Sequence, residues 1–228
     1  MSKAKARSGQ VAKKKVLLVD DHPLIRQGIA TLLANSLDLE VCGEAESAAG
    51  ALEAMEKVKP DIAIVDLTLK ESNGLDLIKD IRIRHPDTLV LVLSMRDEGF
   101  YAERVLRAGA RGYVTKEEGP AKVMEGVRKI LQGQIYVSEK MASKVLSKIV
   151  EGAFHEGGSS MDKLTDRELA VLELIGGGLP TREIAAKLHI STKTVDSYRE
   201  RIKDKLKLDG ATELLKYAVQ WVQGQGNQ

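Results

Sequence analysis

The 228-residue chain has little aromatic content, 4%, with one tryptophan, two phenylalanines and a single cysteine. Scarce rings mean that its cores are aliphatic, and a hydrophobic content of 43% is enough to build them. A lone Cys42 cannot pair within the chain, so nothing points to an oxidising compartment, and Cys42 is expected to pack as a small hydrophobe. No apolar run approaches the roughly 18 residues of a membrane span. A glycine-rich phosphate loop ending in Lys-Ser/Thr is also missing, which argues against a nucleotide pocket. Charge of one sign is not in excess: the net value is +2, so no global field marks a partner.

The distribution of charge says more. MSKAKARSGQVAKKK, residues 1–15, holds six Lys or Arg and no acid. It lacks an apolar stretch behind its charges, so residues 1–14 are expected to be a disordered basic arm and not a secretory signal. Residues 16–135 hold 15 basic and 20 acidic residues, while 161–228 hold 11 and 10.

From residue 15 onward, short apolar strands alternate with helical patterns. KVLLVDD, EVCGEAES, DIAIVDL, TLVLVLS and RGYVTK read as strands. Between and after them, Leu24, Ile25, Gly28, Ile29, Leu32 and Leu33 mark one helix face, and AGALEAMEKVK, GLDLIKDIRIR, FYAERVLRAG and PAKVMEGVRKILQG mark four more helices. Five such units in about 120 residues predict a parallel sheet covered on both faces. Residues 136–160 read as a linker with a helical stretch, SEKMASKVLSKIV, followed by the Gly- and Ser-rich EGAFHEGGSS. Beyond it the pattern is all-helical.

In open parallel sheets, ligands bind beyond the carboxyl ends of the strands. Those ends carry Asp20 and Asp21 (strand one), Asp66 with a predicted turn at Asn73-Gly74 (strand three), Ser94 (strand four), and Thr115-Lys116 (strand five). Alone, an aspartate at a strand end is usually a turn former or a cap. Together, three carboxylates, a hydroxyl and an ammonium suit a hard divalent cation beside a phosphoryl group. With no histidine or cysteine expected in the cluster, zinc and His-based hydrolysis are disfavoured. A carboxylate nucleophile accepting a phosphoryl group beside Mg²⁺ remains.

Residues 15–133 resemble the receiver domain of two-component response regulators, through VDDHPLIRQGI, DIAIVDLTLKESNGLDL, VLS and AGARGYVTK. The resemblance implies a flavodoxin-like (βα)5 fold with a five-stranded parallel sheet and makes Asp66 the phosphoacceptor. Mg²⁺, or Mn²⁺ in its place, would be held by Asp21, by Asp20 through water, by Asp66 and by the carbonyl of Thr68. Ser94 and Lys116 would bind the phosphoryl group, and Tyr113 matches the aromatic switch position, its ring moving as Ser94 swings toward the phosphate. Leu69-Lys70 stands where many members have Met-Pro, which implies altered loop geometry with the chemistry intact.

Thr165 and Glu168 form a T-x-x-E capping box opening a helix that Gly176 to Gly178 stop. Ile184, Ala185, Leu188, Ile190, Val195 and Tyr198 have the apolar spacing of a helix-turn-helix, with Ser191 as a cap and His189 at a turn position where glycine is common. A structural helical bundle has the same spacing. Yet residues 163–223 resemble the LuxR/NarL-type DNA-binding domain along their whole length, which implies a small four-helix domain, here 161–228, behind a receiver, 15–135. Burying Val195, Tyr198, Ile202 and Leu206 leaves Lys193, Ser197, Glu200 and Asp204 outward, flanked by Asp196 and Arg201. Lys193, Thr194 and Ser197 are then candidates for base or phosphate contacts, and Arg199, Arg201 and Lys203 for phosphates. Asp196 and Glu200 depart from the family, where bases are common, and put base contacts in doubt. The last helix, with Leu214, Leu215, Ala218 and Trp221, is by resemblance the dimer element.

The sequence is thus identified as a member of the NarL/FixJ class of response regulators. Its implied partners are a sensor histidine kinase, double-stranded DNA and, when phosphorylated, a second copy of itself. The implied setting is cytoplasmic, with no membrane contact. No enzymatic turnover is expected beyond the receiver's own phosphotransfer and slow autodephosphorylation. Two alternatives stand beside this one: a regulator that binds DNA without phosphorylation, and a Mg²⁺-dependent aspartyl phosphatase. The latter needs a general acid two residues after Asp66, where Thr68 stands.

Overall fold

The computed structural model describes residues 12–69, 72–150 and 160–225. Most of the expected basic arm, Lys70 of the departing loop and residues 151–159 of the expected linker lie outside the described residues. The chain divides into two compact units after Ser138.

In the first unit, β1 (Lys14–Val19), β2 (Leu39–Ala45), β3 (Ile62–Val65), β4 (Leu89–Ser94) and β5 (Gly112–Thr115) form one parallel sheet in the order β2-β1-β3-β4-β5. Helices α1 (Pro23–Ala34), α2 (Ala48–Val58), α3 (Gly74–Arg84) and α4 (Glu98–Ala108) connect the strands, and α5 (Pro120–Leu131) follows the last of them. The central strands are buried on both faces, which is why Ile62–Val65 reads as an unbroken apolar run. The core is aliphatic, as the scarcity of rings requires: Val16, Leu18, Leu33, Ile62, Leu91, Val114 and Ile130 meet in it. Tyr136 extends the sheet edge. Its carbonyl accepts from Tyr113 N at 2.8 Å and its N–H donates to the Arg111 carbonyl at 2.9 Å. The unit therefore runs a few residues past 135.

Two local readings change. Asn73-Gly74 is not a free turn: the Asn73 side chain accepts from Leu75 N at 2.9 Å and caps α3. The residues before it form a two-residue antiparallel ladder, Thr68–Leu69 with Ser72–Asn73. On α1 the inward line is Arg26, Ile29 and Leu33, while Leu24 is 83% exposed. A hydrophobic count alone does not find a buried arginine.

In the second unit, α6 (Glu139–Val150) is followed by α7 (Asp166–Gly176), α8 (Thr181–Lys187), α9 (Thr192–Leu206) and α10 (Ala211–Gln225). The capping box forms: Thr165 Oγ1 accepts from Glu168 N at 3.3 Å, and Glu168 Oε2 accepts from Thr165 N at 2.7 Å. Gly176 is the last residue of α7 and does more than stop it. A Cβ there would lie 2.3 Å from the Ala218 carbonyl oxygen, so its bare backbone lets α10 pack close. Gly178 (φ 79°) and His189 (φ 53°) take the left-handed turn conformations.

Candidate functional site

The strand ends of the first unit bring Asp20, Asp21, Asp66 and Lys116 together. Asp20 and Asp66 follow β1 and β3 and are buried. Their backbones are fixed by the sheet, where Asp66 N donates to the Val19 carbonyl at 2.8 Å and Asp20 N to the Ala45 carbonyl at 3.1 Å. Lys116, just beyond β5, bridges them, with Nζ 2.6 Å from Asp20 Oδ2 and 2.7 Å from Asp66 Oδ2. Thr68 N donates to Asp66 Oδ1 at 3.1 Å, so the loop folds back onto the carboxylate. One donor atom from each of Asp20, Asp21, His22 and Asp66 lies within 4.8 Å of the others.

His22 corrects the expectation of a cluster without histidine. Its backbone N–H donates to Asp20 Oδ1 at 2.8 Å, which folds the residue back over the acid pair. Ring Nδ1 then stands 3.1 Å from Asp20 Oδ1 and 2.8 Å from Asp21 Oδ1. Adjacency to Asp20-Asp21 in sequence was the available signal. Arg26 was also missed. Its Nη1 donates to the Asp20 carbonyl at 2.6 Å, while Nε and Nη2 reach Glu44 and Glu46 at 3.2 and 2.8 Å. It ties the acid pair to the end of β2.

Burial pushes the Asp66 carboxyl above its ordinary value, against the pull of Lys116 and the Thr68 N–H. Burial works to lower the Lys116 ammonium, but its bonds to Asp20 and Asp66 outweigh that and raise it. One ammonium thus faces three carboxylates. Asp21 Oδ1 is buried and accepts no hydrogen bond. An excess of negative charge with an unsatisfied oxygen fits a hard divalent cation.

Ser94 is fully buried at the end of β4. Val65 pairs with Val92 in the sheet register, so Ser94 lies one residue beyond the level of Asp66. Tyr113, on β5, is buried, and its hydroxyl donates to the Arg96 carbonyl at 2.8 Å. Burial strongly raises its phenol. Arg96, which the sequence did not single out, donates from Nε to Thr68 Oγ1 at 3.4 Å and bonds the Tyr101 hydroxyl. It thereby links the loop after Asp66 to α4 and, through its carbonyl, to β5.

In the second unit, α8 and α9 make the helix-turn-helix. Ser191 Oγ accepts from Thr194 N at 3.0 Å and caps α9. Val195 and Ile202 are fully buried, and Tyr198 and Leu206 half-buried. Lys193, Asp196, Ser197, Glu200, Arg201 and Asp204 are exposed. Other contact candidates are engaged: Thr194 Oγ1 meets Ser191 Oγ at 2.8 Å, Arg199 bonds Thr181 at 3.2 Å, and Lys203 pairs with Glu200 at 2.8 Å. On α10, Leu214 and Ala218 are fully buried, while Leu215 is 46% exposed and Trp221 half-buried. Leu214 and Ala218 are thus spent on their own core, where α10 meets α7, and only Leu215 and Trp221 present surface.

Two family models match the chain: "Response regulator receiver domain" over residues 16–128 and "Bacterial regulatory proteins, luxR family" over residues 162–218. The chain is 35% identical over 205 residues to the response regulator GacA of Pseudomonas syringae pv. syringae, covering 90% of this chain and 95% of that one. It is 35% identical over 212 residues to the oxygen regulatory protein NreC of Staphylococcus carnosus, covering 90% and 96%. Among solved structures it resembles RcsB of Salmonella enterica serovar Typhimurium bound to promoter rprA in the presence of the phosphomimetic BeF3⁻. That match has a TM-score of 0.65 at 28% identity and covers 91% of this chain and 99% of the other.

Proposed function

The chain belongs to the two-component response regulators of the NarL/FixJ class, a receiver followed by a LuxR-type DNA-binding domain, and from that membership we propose that phosphorylation of Asp66 gates its binding to promoter DNA. The observation that carries the proposal is the buried Asp66 carboxylate held 2.7 Å from Lys116 beside Asp20 and Asp21.

A carboxylate oxygen of Asp66 attacks the phosphorus of a phosphohistidine on a sensor histidine kinase. The new O–P bond forms as the P–N bond breaks, and the imidazole leaves with the electron pair. Asp21 and Asp66 directly, Asp20 through water, and the Thr68 carbonyl would hold Mg²⁺, or Mn²⁺ in its place, which when bound supplies positive charge to the phosphoryl oxygens. Lys116 exchanges its Asp66 contact for a phosphoryl oxygen. The Ser94 hydroxyl donates to another, and that displacement draws on the Tyr113–Arg96 contact. The receiver catalyses only its own phosphotransfer and slow loss of the group.

For the output, α9 enters the major groove from its N-terminal end, with Lys193, Thr194 and Ser197 toward bases or phosphates and Arg199, Arg201 and Lys203 toward phosphates. Reaching DNA costs Arg199 and Lys203 their contacts with Thr181 and Glu200. RcsB, the structural relative, is described as bound to promoter DNA and as two dimers on two parallel DNAs. By analogy, Leu215 and Trp221 of α10 meet a second copy, giving a dimer on paired half-sites. Among the described residues no helix is long and apolar enough to cross a membrane; action in the cytoplasm is inferred from the family and its DNA target.

The test is selection of bound fragments from sheared genomic DNA by the full chain, incubated with acetyl phosphate and Mg²⁺. Fragments sharing a two-fold repeat are expected, with enrichment lost in Asp66→Asn. Equal enrichment by the variant would instead establish a regulator independent of phosphorylation.

A further inference from the structure

The acidic cluster contains one donor that the phosphoryl chemistry leaves unused. Ring Nδ1 of His22 lies 3.1 Å from Asp20 Oδ1 and 2.8 Å from Asp21 Oδ1, oxygens of two different carboxylates. Donors bonded to one ion at about 2.1 Å stand roughly 3.0 Å apart at a right angle and roughly 3.4 Å apart at a tetrahedral one, so a small turn of the His22 ring away from Asp21 would bring both donors onto one ion. Asp21 Oδ1 is buried and accepts no hydrogen bond, while Nδ1 is hydrogen-bonded to Asp20 Oδ1, a contact that a cation would replace. The His22 side chain is 60% exposed and can turn toward an ion without disturbing the core. Its backbone is anchored, because its N–H holds Asp20 Oδ1.

Ligand chemistry gives this arrangement a direction. Carboxylate, carbonyl and water suit Mg²⁺, whereas imidazole nitrogen suits Zn²⁺ and similar transition metals. We infer that His22 sets the metal preference of the receiver site: with Zn²⁺, its Nδ1 joins Asp21 and Asp66 in a mixed nitrogen–oxygen site that is tighter than the oxygen-only site for Mg²⁺. The inference rests on the reading of Asp20, Asp21 and Asp66 as a divalent-cation site. Its consequence is regulatory. A zinc ion held through His22 excludes Mg²⁺ from the site, so free zinc competes with the Mg²⁺ that phosphorylation uses.

Isothermal titration calorimetry on the full chain tests it, with Mg²⁺ alone, Zn²⁺ alone, and Zn²⁺ in excess Mg²⁺, for wild type, His22→Gln and Asp21→Asn. Excess Mg²⁺ is expected to weaken apparent Zn²⁺ binding by competition. His22→Gln lowers Zn²⁺ affinity by at least about tenfold and leaves Mg²⁺ affinity within about twofold; Asp21→Asn weakens both. With Cu²⁺ as a spectroscopic probe, electron paramagnetic resonance shows nitrogen hyperfine coupling that His22→Gln removes. Unchanged Zn²⁺ affinity in His22→Gln, or Zn²⁺ binding indifferent to Mg²⁺, overturns the inference and leaves the Mg²⁺ site standing. No Mg²⁺ binding to the wild type overturns both.

Discussion

Glu168 is a carboxylate with only 2% of its surface exposed, and the unit around it depends on its charge. Its Oε2 accepts from Thr165 N at 2.7 Å and lies 2.6 Å from Lys205 Nζ, tying the start of α7 to the last turn of α9. Burial pushes the carboxyl up, but Lys205 and the two Thr165 bonds outweigh it, and the net value falls below the ordinary 4.5. A carboxyl lowered by folding gives stability that is complete above its unfolded value and is lost as pH falls through the folded one. Glu168→Gln should therefore destabilise the second unit at pH 7 by on the order of 1–3 kcal/mol. Thermal unfolding followed by circular dichroism should show the gap to wild type narrowing as pH drops below 4.5. A gap that stays constant into acid would mean that the ion pair contributes nothing. The same scale shows what a sequence hides. The meeting of Asp20, Asp21, Asp66 and Lys116 was legible because strand ends are countable positions. His22 and Arg26 were not, because each acts by folding back on a neighbour and neither breaks a pattern.

Elements are held apart or together by single glycines. A Cβ on Gly74, the first residue of α3, would lie 2.1 Å from the Asp66 carbonyl oxygen and 2.7 Å from Leu67 Cα, both backbone atoms that cannot yield. Gly74→Ala should push α3 away from the end of β3, cost roughly 2–3 kcal/mol in chemical denaturation, and slow phosphorylation of Asp66. Gly28, in α1, meets nothing within 4 Å, so Gly28→Ala should stabilise by about 0.5–1 kcal/mol. Equal effects from the two substitutions would refute the packing argument. The order of strands and helices was readable because the buried strands are continuous apolar runs and the helices carry stripes. The Asn73-Gly74 pair was misread as a turn because Asn serves equally as an N-cap, and only the helix that follows decides between them. Leu214 and Ala218 share the apolar stripe of α10 with Leu215 and Trp221. The stripe alone does not say which residues α7 covers, and the missing side chain of Gly176 decides it.

At the scale of the whole molecule, the chain is two compact units, one ending at Ser138 and the other starting at Glu139. Fragments 1–138 and 139–228 should each unfold cooperatively in thermal melts, the first retaining phosphorylation and the second binding DNA more weakly than the phosphorylated full chain. A fragment that stays unfolded would show that the units need each other to fold. Residues 161–228 have 11 bases to 10 acids, so a single copy has little charge with which to hold phosphates. With so little net charge on one copy, the proposed phosphorylation-driven dimer is the form expected to bind DNA.

The proposed signalling depends above all on Asp66 as the phosphoacceptor. The direct measurement is the intact mass of the chain after incubation with acetyl phosphate and Mg²⁺, beside Asp66→Asn and an EDTA control. One phosphoryl adduct is expected on the wild type, absent from the variant and from the chelated sample. An adduct that persists in Asp66→Asn, or none on the wild type from this donor or from a sensor kinase, would contradict that role.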